Sequence, residues 1–127
     1  MVQNSLNSIM EIVLKVLVIL VAMQHLFFFW METFAWTSFG RKTFGGKREY
    51  FEQTKSLAAN QGVYNAFLSA GLIWSLFVGN SEFEAMLQVF FFACVVIAGI
   101  VGAITVSKKI FWIQSLPGLL GLLFLAI

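Results

Sequence analysis

Four apolar runs, each close to the ~20 residues a helix needs to cross a bilayer core of ~30 Å, leave this chain few ways to fold. They extend over about Ile12 to Trp36, Leu57 to Val78, Ala85 to Val106 and Ile110 to Ile127. Hydrocarbon offers backbone N–H and C=O groups no partners, so each run is predicted helical despite its Val, Ile and Phe content. Nothing in the chain shows the alternation of about ten residues that marks a membrane barrel strand. The expected fold is therefore all-α, an integral membrane four-helix bundle forming a single transmembrane domain over residues 1–127. Composition excludes the water-soluble alternative. With 60% hydrophobic and 11% charged residues and a mean hydropathy of +0.89, a sphere of 127 residues could not cover itself with polar side chains. A net charge of +2 without a clustered basic face excludes a nucleic-acid partner. One Cys excludes an internal disulfide framework, and one His excludes a multi-histidine metal site.

Orientation follows from the connections. The first, Thr37 to Ser56, holds Arg41, Lys42, Lys47, Arg48 and Lys55; the third holds Lys108 and Lys109; together they carry seven of the eight basic residues. The middle connection, Gly79 to Glu84, has Glu82 and Glu84 and no base. Two helices separate the basic connections, so they share a side, and the positive-inside rule makes it cytoplasmic. Both termini then face outward. The first run is expected to be retained rather than cleaved, because residues 1–8 lack Lys and Arg and the apolar stretch exceeds a signal's length. Phe39 to Lys42 and Phe44 to Gly46 read as turns, and residues 47–56 as an amphipathic segment along the inner headgroups, with Tyr50 and Phe51 beside Arg48, Glu52 and Lys55. That loop either only sets topology or also holds an anionic substrate or lipid.

Polar residues inside apolar runs are costly, so their depths carry the functional reading. Gln24 and His25 fall near the midplane of the first span, and Glu32 lies about 10 Å closer to the cytoplasm. Asn60, Gln61, Tyr64 and Asn65 occupy the cytoplasmic start of the second span on an arc of about 140°. Gln114 and Ser115 fall in the cytoplasmic half of the fourth span; Gln88 lies near the outer side. Packed together, three helices would place these groups around one cavity in the cytoplasmic leaflet. Glu32 could serve as a proton-handling group there, or reach headgroup water beside Arg41 or Lys42. His25 suits three roles: a packing residue, an acid/base partner of Glu32, or an axial haem ligand paired with a Met or with another subunit. Whether any cofactor is bound is left open.

Ala98, Gly99, Gly102 and Ala103, and Gly62, Ala66 and Ala70, form small-residue rows that suit close helix packing or self-association. Cys94 reads as a buried spacer. Pro117 frees a carbonyl about one turn earlier, around Ile113, and is expected to kink the fourth span.

Taken together, Gln24-His25-Leu26 through Met31-Glu32-Thr33-Phe34-Ala35-Trp36, the run Ala58 to Leu68, the Ala98 to Ala103 segment and Gln114-Ser115-Leu116-Pro117-Gly118 resemble the small bacterial membrane proteins grouped as domain-of-unknown-function family 1304. The resemblance covers nearly the whole chain. It implies four spans in the bacterial cytoplasmic (inner) membrane and supplies no reaction. Gln24 departs from the pattern, which would place Glu beside the His.

Three functions compete. In the first, a cytoplasmic-leaflet cavity binds or converts a small, partly hydrophobic molecule; His25 and Glu32 handle protons, and Gln24, Asn60, Gln61, Tyr64, Asn65 and Gln114 hold its polar end. The second is a proton-coupled exporter resembling the small multidrug type, built on Glu32 with Trp30 and Tyr64. The third is an accessory subunit of a membrane complex. Membrane lipid and further copies of the chain are the expected partners, since one small bundle has few residues with which to enclose a site.

Overall fold

The computed structural model describes every residue, Met1 to Ile127, and contains helices and short connections without a strand. Helix α1 (Val2–Phe34) contains neither Gly nor Pro, so nothing interrupts its backbone ladder. It begins well before the apolar run, and there Gln3, Ser5 and Ser8 turn their side chains onto acceptors within the same helix. Ala35 leaves helical geometry, and a π-helical segment, Trp36–Gly40, leads directly into α2 (Arg41–Phe44). Phe39 to Lys42 is therefore helical, where a turn was expected. Gly40 keeps right-handed helical dihedrals, and its missing Cβ makes room for the Trp36 ring. The chain reverses instead at Gly45 and Gly46, whose φ of 71° and 116° favour glycine.

The amphipathic segment becomes α3 (Arg48–Gln53). Phe51 is buried against the Trp36 ring, and Tyr50 stays exposed. Thr54 joins α3 to α4 (Lys55–Ser75), donating to the Tyr50 carbonyl at 2.7 Å while accepting from Trp36 Nε1 at 2.9 Å. A turn at Gly79 (φ 68°) precedes α5 (Ser81–Thr105), whose first turn is capped by the Asn80 side chain accepting from the Phe83 N–H at 2.9 Å. A second π-helical segment, Phe111–Ser115, runs into α6 (Leu116–Ala126). Pro117 sits in the first turn of α6, directly after the switch from π to α winding.

The bundle is cyclic: α1 packs on α4, α4 on α5, α5 on α6 with its π-helical lead, and α6 back on α1. Val18, Val21 and Ala22 of α1, Leu72 of α4, and Phe92 and Val95 of α5 form its core, flanked by Leu122 and Leu125 of α6. Only 24 of 127 residues are buried, so most of the apolar side chains coat the outside. Four spans were expected. By length and composition two helices, α1 and α5, suffice to cross a membrane. Asn60, Gln61 and Asn65 dilute the hydropathy of α4, and the Phe111–Ala126 stretch is shorter.

Candidate functional site

The site begins where the end of α1 meets the start of α4. Gly62 makes this approach possible, since a Cβ there would strike the Thr33 hydroxyl and lie 3.1 Å from the Phe29 carbonyl oxygen. The close approach brings Asn65 onto Glu32, with Nδ2 donating to Oε2 at 2.7 Å; a longer contact of 3.4 Å runs from Nδ2 to the Gln61 carbonyl one turn back. Glu32 thus reaches neither Arg41 nor Lys42: the single ion pair in the molecule joins Arg48 and Glu52 at 3.6 Å on the surface.

The third side is supplied by the π-helical segment before α6, whose wider winding turns Gln114 and Ser115 inward as neighbours, both buried. Ser115 donates to the Val96 carbonyl at 3.0 Å, and Gly99 faces it because any side chain there would strike the Ser115 hydroxyl. Gln114 reaches His25, its Nε2 lying 3.1 Å from the imidazole Nε2. The imidazole's Nδ1 lies 2.8 Å from the Val21 carbonyl oxygen. A carbonyl can only accept, so Nδ1 carries the proton, Nε2 of the neutral ring accepts, and the Gln114 amide must present its nitrogen. His25 is fully buried and both ring nitrogens are engaged.

Between these groups lies a hollow of about 750 Å³. Phe27, Phe28 and Met31 of α1, Leu68 of α4, and Ala98 and Val101 of α5 give it apolar walls; Glu32, Gln61, Tyr64, Asn65 and Gln114 give it polar ones. Thr43 and Phe44 of α2 and Thr105, Val106 and Ile110 also line it, so it lies at the end of the bundle that carries both basic connections. Neither Lys nor Arg lines it, and Glu32 is its one ionisable carboxyl group.

Of the residues singled out from sequence, Glu32, Gln61, Tyr64, Asn65 and Gln114 come together here. His25 stands behind Gln114 as its support and does not line the hollow. Asn60 is exposed and outside the lining, at the edge of the polar arc opposite to Asn65. Gln24 faces elsewhere: its Nε2 donates at 2.7 Å to the Ile113 carbonyl, four residues before Pro117, which has no N–H to offer it. Sequence reasoning missed the walls from α2 and α5. The small residues Ala98 and Gly102 were the available signal, but small-residue spacing equally marks packing. It also missed Ser69, buried deep in the bundle and donating to the Ala22 carbonyl at 2.8 Å.

Fold and site together define a small all-helical bundle with one carboxyl group lining an apolar hollow edged by amides. The chain belongs to the family described as protein of unknown function (DUF1304), whose model matches residues 19–126. It is 28% identical over 117 residues to the uncharacterised protein YpaA of Lactococcus lactis subsp. lactis (strain IL1403), an overlap of 90% of this chain and 97% of that protein. No solved structure matches it.

Proposed function

We propose that this chain is a four-span protein of the bacterial cytoplasmic membrane, a single transmembrane domain with both termini outside, whose hollow binds a small, partly hydrophobic molecule entering from the cytoplasmic leaflet. Two features support the membrane placement. Large apolar side chains such as Ile12, Ile19, Phe67, Phe90, Ile97 and Leu123 are exposed around the bundle, too extensive a patch for a protein surrounded by water. The two basic connections share one end, as the positive-inside rule requires of cytoplasmic loops.

The observation that carries the binding reading is the hollow itself, which falls in the ~300–1,000 Å³ range of small-molecule sites and combines apolar walls with a few convergent polar groups. Native mass spectrometry, with an absorption spectrum, on protein extracted gently from its own membrane tests it. A copurified small molecule is expected, and Ala98→Trp, which places an indole in the hollow, should abolish it. Retention of that molecule by the Trp variant would move binding elsewhere. The same spectrum counts subunits. Gly99 and Gly102 face Ser115 and Ile110 of their own chain, so this part of the small-residue row is spent within the bundle.

A further inference from the structure

Gln61 and Tyr64, both exposed, keep donor as well as acceptor without a protein partner, whereas the other polar groups around the hollow are unbalanced. Asn65 spends its amide nitrogen on Glu32 and the Gln61 carbonyl. Thr43 and Thr105 donate their hydroxyls to the Phe39 and Val101 carbonyls at 2.9 and 2.8 Å. Acceptors are treated differently. Glu32 makes its one hydrogen bond through Oε2 and leaves Oε1 without a protein partner. Gln114 is locked by the His25 tautomer with its nitrogen toward the imidazole, so its Oε1 is the end of the amide left to the hollow. Charge points the same way, because no Lys or Arg side chain lies within 4.0 Å of the Glu32 carboxylate. A lone carboxylate among apolar walls is expensive until a proton or a cation joins it. Phe27, Phe28, Phe44 and Tyr64 add aromatic rings, whose faces favour a cation.

Resting on the reading that the hollow is a ligand cavity, we propose that its ligand is a protonated primary or secondary amine with an apolar body. The ammonium N–H groups donate to the Glu32 carboxylate and to Gln114 Oε1, and the body lies against Phe28, Met31, Leu68 and Val101. A fatty acid or phosphate would add a second negative charge beside Glu32. A quaternary ammonium carries the charge but has no N–H for either acceptor. His25 enters as a positioning residue, acting through the orientation of Gln114.

The test is isothermal titration calorimetry on the full chain in zwitterionic lipid nanodiscs, with empty nanodiscs as the blank. Four probes of equal chain length are compared: octylammonium, octyltrimethylammonium, octanol and octanoate. Octylammonium is expected to bind at least about tenfold tighter than octanol or octyltrimethylammonium, as a charge-assisted hydrogen bond would give, with octanoate weakest. Glu32→Gln should erase the amine preference, so that octylammonium no longer binds tighter than octanol. Gln114→Met, which keeps Glu32 and its Asn65 contact, should lower octylammonium affinity as well. Equal affinities for octylammonium and octanol, or a preference that survives Glu32→Gln, would overturn the amine assignment; octanol binding abolished by Ala98→Trp would then leave the cavity standing. Binding of no probe, or binding of all four unaltered by Ala98→Trp, would overturn the cavity and the amine together.

Discussion

Around Val18, Val21, Leu72, Phe92 and Val95 the long helices bury their side chains completely, whereas about two turns along α1, between Phe28, Leu68 and Ala98, the bundle stands open around about 750 Å³. The contrast lies in how small residues are used. At the closed end Gly71 and Gly121 each receive a ring, Phe91 and Phe92, in space a Cβ would occupy. At the open end Ala98 faces the hollow and no ring fills the space. Polar groups follow the same division. Ser69 spends its hydroxyl on the Ala22 carbonyl, and Gln88, 1% exposed, bonds Ser75 and Glu84 at 3.3 and 3.1 Å. Glu32 and Gln114 keep acceptors in reserve. Tight packing and binding capacity are thus drawn from different stretches of the same helices.

Removing a ring from each end puts this contrast at risk. Phe92→Ala leaves an enclosed void and is expected to cost about 3–5 kcal/mol, the largest effect of any single truncation, read by reversible unfolding in mixed micelles. Filling the tight seam between α5 and the π-helical lead comes next. Gly99→Val pushes against the Ser115 side chain and backbone and should cost about 1–3 kcal/mol, with Gly99→Ala intermediate. Phe28→Ala should cost only about 1 kcal/mol, because it enlarges an existing space and loses mainly the ring contacts to His25 and Phe27 at 5.5 and 6.1 Å. Equal costs for Phe28→Ala and Phe92→Ala would show that the hollow is closed in the working protein and break the comparison. Gln24→Leu, which removes the side-chain donor to the Ile113 carbonyl, should have the smallest effect, about 0.6 kcal/mol on the proposed membrane placement. Pairing it with Pro117→Ala sharpens the assignment: restoring the backbone N–H should make the loss of Gln24 nearly silent.

Much of the site was legible because polarity in an apolar run is a strong signal. Glu32, Gln61, Tyr64, Asn65 and Gln114 were visible as exceptions, and the helical arc of α4 already put three of them on one face. Within that arc nothing separated Asn60 from Asn65. They lie at opposite edges, and the side from which α1 approaches, set by Gly62, decides which is buried. His25 was equally visible, and packing was one of its three readings, but depth alone did not name its partner. Its role depends on the π winding of Phe111–Ser115, which rotates Gln114 onto it and which has no signature in hydropathy. Pro117 announced a freed carbonyl, and only the packing of α6 on α1 supplied Gln24 as its partner.

The chain by itself determined that it is helical, where its polar groups sit along each helix and which connections are basic, because these depend on local composition and on a period of about 3.6 residues. The tertiary structure decided which polar groups meet, which end of the bundle closes and which amide atom faces the hollow. Those outcomes turn on helix rotation and on distances of a few ångströms between residues as far apart as His25 and Gln114, set by the glycines and the π-helical segment through which the helices approach.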